Sequence, residues 1–252
     1  MVSGKDFLTR INLLAFNQEG KGTVISVTLY VLLSSVQGYW SGCSLTNVRV
    51  FQLPEEATLG ECLNFGVENS TFNIIAKFDD DDYYAPKYLS ESIRAFEYTN
   101  ADVIGKSTTY VYFETNKILA IRNPDKENRY VNRIEGPTMI INKKVFNKVK
   151  FANRPLGEDT QFCDDCCKRG IRIYSTDKFN YVYIRHGDRE KHTWNINDKL
   201  LLKLCKVIGE IDDYKNYVLN QKFNQKWREC KIFSLITRQA TWKGSTPVAC
   251  RL

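Results

Sequence analysis

The sequence predicts an α/β domain built on a mainly parallel sheet with helices on both faces. Helix-like and strand-like patterns alternate through the first half of the chain, which is typical of such sheets. The composition, 43% hydrophobic and 26% charged, is that of an ordinary globular protein. The apolar residues 24–36 are fewer than the about 20 that a membrane-spanning helix needs, and their Val, Ile and Thr content favours a buried strand.

Hydrophobic spacing, glycine and proline define the elements of the first half. Apolar residues near helical spacing predict a first helix that ends before Gly20. Pro86 lies in the first turn of a later helix, where its missing N–H costs nothing. The predicted order is helix 5–18, strand 23–33, strand 48–53, helix 58–70, strand 72–78, helix 85–100 and strand 101–114.

The second half predicts shorter elements. A helix over residues 156–170 ends in Lys168, Arg169 and Gly170, a common C-terminal signature. The remaining apolar patterns predict strands near 117–123, 130–134, 171–176 and 179–186, a strand leading into a helix over 138–149, and amphipathic helices over 198–211 and 212–223.

The cysteines indicate a reducing compartment. There are eight, their spacings match no secreted framework, and no signal-peptide pattern precedes them. Cys163 and Cys166 form a Cys-x-x-Cys pair, but no second Cys/His pair stands at zinc-site spacing. We therefore expect cysteines on a half-buried helix rather than a zinc or redox site, and a cytoplasmic protein.

The net charge of +7 is concentrated at the C-terminal end. Residues 221–252 contain seven Lys/Arg and one acid, which accounts for +6 of it. We divide the chain into a domain of residues 1–220, with halves at about 1–115 and 116–220, and a basic tail. We expect the tail to be solvated, with peripheral contact to an anionic membrane as the alternative, and no nucleic acid as a partner.

The stretch "KFDDDDYYAPKYL", residues 77–89, places four aspartates between a predicted strand and a predicted helix. One carboxylate could cap the helix, and a solvated acidic loop is a second possibility. Four adjacent carboxylates would still repel one another, and the flanking aromatic residues indicate partial burial. A divalent cation would remove the repulsion, since carboxylate oxygens are the ligands that Mg²⁺ and Mn²⁺ prefer. We favour a metal–phosphate site.

The chain resembles family 2 glycosyltransferases of the GT-A fold, which bind nucleotide-diphospho sugars. Their strand ends in Asp-x-Asp-Asp, followed by three residues and a proline, as at Asp79–Pro86. The stretches "VRVFQLPEEATLGECLNFGV", "LGEDTQF" and "FNYVYIRHGDREKHTW" resemble more closely a bacterial subgroup that includes spore-maturation-type glycosyltransferases. The resemblance covers about residues 45–215.

The resemblance implies roles for the acidic residues. Asp81 and Asp79 would bind Mn²⁺ or Mg²⁺ and the nucleotide sugar. Asp80 and Asp82 would lie beside them at the substrate, with Asp80 as a spacer and Asp82 as an auxiliary residue or a helix cap. Asp159 would take the proton of the acceptor hydroxyl, helped by Glu158, in a reaction that inverts the anomeric centre. Without the resemblance, "LGED" would indicate only a helix with acids in its first turn.

Further substrate and metal residues follow from the resemblance. His192 would complete the metal site, although a polar loop residue is an equal alternative. Arg185 would meet phosphates, with Arg189 and Lys191 on the same loop. Trp194 would stack on a sugar or base, or else lie in the core. Gly60 and Asn64 would lie in a segment that approaches the nucleotide. Gly136 would lie in a segment that approaches the acceptor.

The N-terminal region departs from the family pattern. If residues 5–18 are a helix and 23–33 the second strand, the first strand of the fold is missing, and no acid for the nucleotide base lies between Thr23 and Val36. The expected function is a metal-dependent, inverting glycosyltransferase. Its donor would be a nucleotide-diphospho sugar, a UDP-sugar first, and its acceptor a glycan, lipid or protein. Alternatives are an inactive GT-A domain that binds a glycan or protein, and a sugar nucleotidyltransferase, for which the opening "MVSGKDFLTR" is a poor match.

Overall fold

Two β-sheets organise the protein, which is represented by a computed structural model. The residues described are 10–19, 23–33, 48–54, 56–154, 156–187 and 196–219. The strands are β1 (Arg10–Glu19), β2 (Thr23–Leu33), β3 (Val48–Gln52), β4 (Ile74–Asp79), β5 (Tyr83–Tyr84), β6 (Val103–Gly105), β7 (Thr109–Phe113), β8 (Ile118–Arg122), β9 (Arg129–Val131), β10 (Ile140–Asn142), β11 (Ile173–Ser175), β12 (Tyr181–Arg185) and β13 (Cys205–Glu210). The α-helices are α1 (Leu59–Asn69), α2 (Tyr88–Ile93), α3 (Ala95–Tyr98), α4 (Glu158–Lys168), α5 (Asp198–Lys203) and α6 (Tyr214–Tyr217), and short 3₁₀ turns occupy Gly136–Thr138 and Lys143–Asn147.

The larger sheet is mixed, so the prediction of a mainly parallel sheet is wrong. Its strand order is β3-β2-β1-β4-β10-β6-β11-β9. Among these described strands only the pairs β2–β3 and β6–β11 run parallel. The short strand β10 enters antiparallel between β4 and β6, which could not be read from a pattern of alternating elements.

The prediction of a helix over residues 5–18 is wrong for residues 10–18, which belong to β1; residues 5–9 lie outside the described part. β1 runs antiparallel to both β2 and β4. Its apolar run fits either a helical or a strand period, and pairing on both sides decides for the strand. The sheet position beside β4 is therefore filled by β1, where the sequence predicted a missing strand.

Helices cover both faces of the larger sheet, as predicted. Along β4, Ile75 faces a core shared with α1 and α4, while Ile74 and Ala76 face a core shared with α2 and α3. This alternation follows from the two-residue period of a strand. The core with α1 and α4 also contains Cys163 and Cys166, and burial raises the pKa of both thiols to about 12. The expectation of helix cysteines is confirmed.

Several predicted elements are subdivided in the structure. The helix over 85–100 is two short helices, α2 and α3, and the strand over 101–114 is β6 and β7. The helix over 198–211 ends at Lys203 as α5, and the next residues form β13 because they pair antiparallel with β8. The strands predicted near 23–33, 48–53 and 72–78 and the helix near 58–70 are confirmed. No helix within the described residues is long and apolar enough to cross a membrane.

Three strands of the larger sheet continue directly into the smaller one, whose order is β13-β8-β7-β12-β5. β4 continues into β5, β6 into β7 and β11 into β12. β4, β6 and β11 run in the same direction, so the three connections between the sheets all lie at the C-terminal ends of these strands, at one edge of the larger sheet. The aspartate stretch forms the first of these connections.

Helix α1 begins with a capping box and packs closely on a later loop. The Thr58 hydroxyl accepts from the Glu61 amide, and the Glu61 carboxylate accepts from the Thr58 amide. A Cβ atom at Gly60 would lie 1.9 Å from the Ala152 carbonyl oxygen. Only glycine permits this approach.

We predict that Gly60→Ala lowers the free energy of unfolding by about 1–3 kcal/mol. The clash with backbone at residue 152 outweighs the about 1 kcal/mol that alanine gains in helix propensity. Denaturant unfolding measures the change. The control is Glu68→Ala on the exposed side of the same helix, which should cost under about 1 kcal/mol. Equal stability of Gly60→Ala and wild type would contradict the close approach.

Candidate active site

The aspartate turn joins the two sheets. Asp79 is the last residue of β4, and residues 80–82 turn the chain into β5. Single carboxylate oxygens of Asp79, Asp81 and Asp82 lie within 4.8 Å of one another. Oxygen donors at this separation suit a hard divalent cation. Asp79 and Asp81, which the sequence predicts as metal ligands, are therefore close enough to bind one cation, with Asp82 beside them.

Asp82 fastens the turn to β12. Its Oδ2 accepts a 2.6 Å hydrogen bond from the Tyr181 hydroxyl, and its Oδ1 accepts a 3.0 Å bond from the Ile184 amide. Burial, with the charges of Asp81 and Asp79, raises its pKa well above the usual value. The alternative that one carboxylate of the stretch, such as Asp82, caps the following helix is wrong, because α2 begins after Lys87 and has no side-chain cap.

Among the clustered carboxylates, Asp81 is the one whose negative charge is least compensated by neighbouring groups. Burial and the charges of Asp79 and Asp80 raise its pKa to about 6, against a small opposing effect of His186. A carboxylate held near like charges in a partly desolvated place is stabilised when a cation binds. This observation supports a metal role for Asp81 independently of the motif. Asp80 is exposed on the same turn.

Lys77 lies two residues before Asp79 and contacts it. The Lys77 ammonium is 2.5 Å from Asp79 Oδ1, with side chains 5% and 35% exposed respectively. Burial acts to lower the pKa of Lys77, but the charge of Asp79, and those of Glu158 and Asp159, outweigh it and raise that pKa. A buried ammonium thus lies between the aspartate turn and the predicted catalytic acids.

The Tyr84 hydroxyl makes a second link between these regions. It accepts a 3.0 Å hydrogen bond from the Asp79 amide and donates a 2.9 Å bond to the Pro137 carbonyl. The neighbouring Gly136 contacts the predicted base, because a Cβ added there would lie 2.5 Å from Asp159 Oδ2. The structure therefore brings Asp79, Gly136 and Asp159 together.

The two acids at the start of α4 have different environments. Glu158 is 4% exposed, and burial raises its pKa although Lys77 acts to lower it. Asp159 is half-buried, and its Oδ1 accepts a 2.6 Å hydrogen bond from the Thr160 amide. Gly157 precedes them with φ of 78°, a backbone conformation that favours glycine. Asp159 is therefore the more accessible of the two acids.

Gly60 and Asn64, predicted near the nucleotide, contact the loop that leads to α4. Asn64 Nδ2 donates to the Phe151 carbonyl at 2.9 Å, and Asn64 Oδ1 accepts from the Phe151 amide at 3.0 Å. Both polar atoms of the Asn64 amide are used by backbone, and Gly60 abuts Ala152. The geometry favours a role in positioning that loop over contact with a nucleotide.

Arg185, predicted to meet phosphates, lies in an internal ion pair. Its side chain is 1% exposed, and its Nε and Nη2 donate to Asp198 Oδ1 at 3.0 and 2.6 Å. Its Nη1 donates to the Tyr183 hydroxyl at 3.0 Å. The guanidinium joins β12 to the start of α5, and this geometry favours a structural role.

The histidine that the structure places at the aspartate turn is His186. Its Nε2 lies 3.0 Å from the Asp81 carbonyl oxygen, and its Nδ1 lies 2.7 Å from Glu114 Oε2. The predicted metal ligand His192 lies outside the described residues, as do Arg189, Lys191 and Trp194.

Sequence reasoning missed Lys77, Tyr84, Tyr181 and His186. One signal was available for Lys77, since a lysine inside the apolar run "FNIIAKF" requires a buried partner. The tyrosines gave none, because their contacts join residues about 50 to 100 positions apart in the chain, as for Tyr84 with Pro137 and Tyr181 with Asp82.

Comparison with known proteins agrees with the motifs. A model of the family described as Glycosyl transferase family 2 matches residues 35–152, a little under half of the chain. The match supports a family 2 glycosyltransferase and the GT-A type of α/β fold that this family implies. The matched segment contains the aspartate turn, Lys77 and Gly136, and it ends before Glu158 and Asp159. No curated protein matches the chain.

We predict that a divalent cation stabilises the protein more at pH 7.5 than at pH 5. The pKa of Asp81 is about 6 in the folded state, against a reference value of 3.8. Because the folded state holds this proton more tightly, the metal-free protein loses stability as the pH rises between these two values. A cation needs the deprotonated carboxylate, so its effect grows over the same range. Thermal unfolding with and without Mn²⁺ measures this. A Mn²⁺-induced shift of the melting temperature that does not change with pH, or that persists in Asp81→Asn, would contradict it.

We predict that Lys77→Met lowers the free energy of unfolding by about 2–3 kcal/mol at pH 7.5 and by less at pH 5. The variant leaves Asp79, Glu158 and Asp159 without their cation. Burial raises the pKa of Glu158, so this residue takes up a proton more readily at lower pH, which relieves part of the repulsion. The cost is below the about 3–5 kcal/mol of a fully buried pair because Asp79 is partly exposed.

The control for Lys77 is Lys117→Met. Lys117 pairs with Asp212 at 2.5 Å, but the two side chains are 55% and 84% exposed. Its loss should change the free energy of unfolding far less than the loss of Lys77 does, at either pH, because solvent screens an exposed pair. Equal, pH-independent effects of the two variants would show that Lys77 does not compensate the acidic residues of the site.

Proposed function

We propose that the protein is a metal-dependent, inverting glycosyltransferase that moves a sugar from a nucleotide-diphospho sugar to an acceptor hydroxyl. One observation carries the proposal. The carboxylates of Asp79 and Asp81, which form a cluster of the metal-binding type, lie at the same edge of the larger sheet as the accessible acid Asp159. Tyr84 and Gly136 connect the cluster to this acid. A family model that matches the aspartate turn supports the same activity.

Asp81 and Asp79 are the residues we assign to Mn²⁺ or Mg²⁺. Asp82 is left out because Tyr181 and Ile184 already use both of its oxygens. Asp79 would contact the ribose or the water around the ion, and His192 remains a proposed further ligand. When bound, a dication supplies neutralisation of the diphosphate leaving group.

Asp159 is the general base of the proposed reaction. Its carboxylate takes the proton of the acceptor hydroxyl as that oxygen forms a bond to the anomeric carbon. The bond from that carbon to the diphosphate oxygen breaks, and its electron pair leaves with the diphosphate. A single displacement of this kind inverts the anomeric centre. Glu158 acts indirectly, because it is buried beside Lys77 and helps to hold the start of α4.

The substrates follow from the same assignment. The donor is a nucleotide-diphospho sugar, with a UDP-sugar as the first choice, and the acceptor is a glycan, a lipid or a protein. Trp194 remains a proposed stacking residue for the sugar or base, and the cytoplasm remains the proposed location.

We predict that Asp81→Ala abolishes both nucleotide-sugar binding and turnover, whereas Asp159→Asn keeps binding and loses turnover. The two residues act at different stages, because Asp81 binds the metal and donor and Asp159 reacts with the acceptor. The experiment incubates the full chain with Mn²⁺ and a panel of nucleotide sugars. It measures the nucleotide-induced melting shift together with release of nucleoside diphosphate.

The control is Asp80→Asn, since Asp80 lies on the same turn but is exposed and outside the cluster. It should keep binding and most of the turnover. Absence of any nucleotide-induced shift and of any hydrolysis or transfer would reject the proposal. Glycan binding that is unchanged in Asp81→Ala, without turnover in wild type, would indicate the inactive binding domain instead.

A further inference from the structure

A surface on α5 and β13 combines exposed apolar and basic side chains. We call it the Leu–Lys surface, and its residues are Lys199, Leu200, Lys203, Leu204 and Val207. Leu200, Leu204 and Val207 are 53%, 61% and 51% exposed, which is unusual for large apolar side chains so close in sequence. The two lysines are exposed as well. This surface takes no part in the proposed glycosyl transfer.

The fold holds these side chains outward. Leu201 is completely buried against Val111, Phe113 and Ala120, which fixes the inward side of α5. Leu200 and Leu204 are four positions apart and therefore lie on a common side of the helical turn. In β13, Val207 pairs with Ala120, so both side chains leave the sheet on the face that α5 covers.

The position of α5 is fixed by charge. Asp198, the first residue of α5, accepts hydrogen bonds from both Nε and Nη2 of the buried Arg185. The remaining charges of the surface are all positive, because residues 199–204 contain two lysines and no acid. The surface is thus apolar and cationic, and its own acid is already paired.

We propose that the Leu–Lys surface docks on a lipid bilayer that contains anionic headgroups. Leucines at the acyl boundary with lysines at the headgroups are typical of helices that lie in a membrane interface. Lysine is depleted at protein–protein interfaces, and nucleic-acid surfaces use aromatic side chains rather than leucine for stacking. Charge complementarity therefore favours the lipid surface, and no described helix could insert across it.

The test is co-sedimentation of the full chain with phosphatidylcholine vesicles that contain or lack phosphatidylglycerol. Wild type should sediment with the anionic vesicles only. The variant with Lys199→Gln and Lys203→Gln should bind roughly 25-fold more weakly, since each lysine near an anionic surface contributes about fivefold. The variant with Leu200→Ser and Leu204→Ser should lose at least about tenfold, from lost apolar burial.

The matched control replaces exposed lysines elsewhere, with Lys126→Gln and Lys148→Gln, and should bind as wild type. The basic residues 221–252 are present in every variant. Undiminished binding by the lysine and leucine variants would therefore assign the membrane contact to those residues and overturn the proposal.

Two further outcomes would also overturn it. One is no binding of wild type to either vesicle. The other is a wild-type dimer, detected by light scattering, that becomes a monomer in the leucine variant. Far-ultraviolet circular dichroism and melting temperature check that each variant is folded. Vesicle binding does not depend on transferase activity, so failure of this proposal leaves the proposed function unaffected.

Discussion

The crowding of negative charge at the end of β4 is the constraint on which the site depends. Three carboxylates of the turn differ in how their negative charge is accommodated. Asp82 is buried, which raises its pKa and favours the neutral form, and it accepts two hydrogen bonds from β12. Asp79 is paired with Lys77. Asp81 has a pKa raised to about 6 by burial and by the charges of Asp79 and Asp80. In the function proposed above, a bound cation would compensate this charge and that of a diphosphate leaving group.

The second sheet makes this arrangement rigid. β4, β6 and β11 end at one edge, and each continues into the smaller sheet. The crossings hold buried polar groups, such as Lys106, which donates to the Asp177 carbonyl at 2.6 Å. Tyr84 in β5 and Tyr181 in β12 reach back to Asp79 and Asp82. Side chains on strands are better held than side chains on loops, so the smaller sheet fixes the geometry that the larger sheet begins.

The sequence predicted which residues lie near the aspartate turn better than it predicted the contacts that support them. Asp79, Asp81, Gly136 and Asp159 are found together because their roles are tied to residue type and to the ends of elements. β1 was predicted as a helix because an apolar run without strict alternation fits both periods, and only its pairing with β2 and β4 decides. Strand direction in the larger sheet was missed for a related reason, since the three-residue strand β10 has too little sequence to show its partners. Asn64 was assigned to a substrate by motif, whereas the structure shows both its polar atoms bound to Phe151.

We propose above all that Asp81 belongs to a single cation site in this protein. The cation would relieve the repulsion on the Asp81 carboxylate and would bind together with a nucleoside diphosphate. An electron paramagnetic resonance titration of Mn²⁺ into the full chain, with and without UDP, tests it most directly. The account predicts saturable binding of a single Mn²⁺ that is tightened by UDP, is abolished in Asp81→Ala and is kept in Asp80→Asn. Absence of bound Mn²⁺ in wild type with UDP, or equal binding by Asp81→Ala, would contradict it.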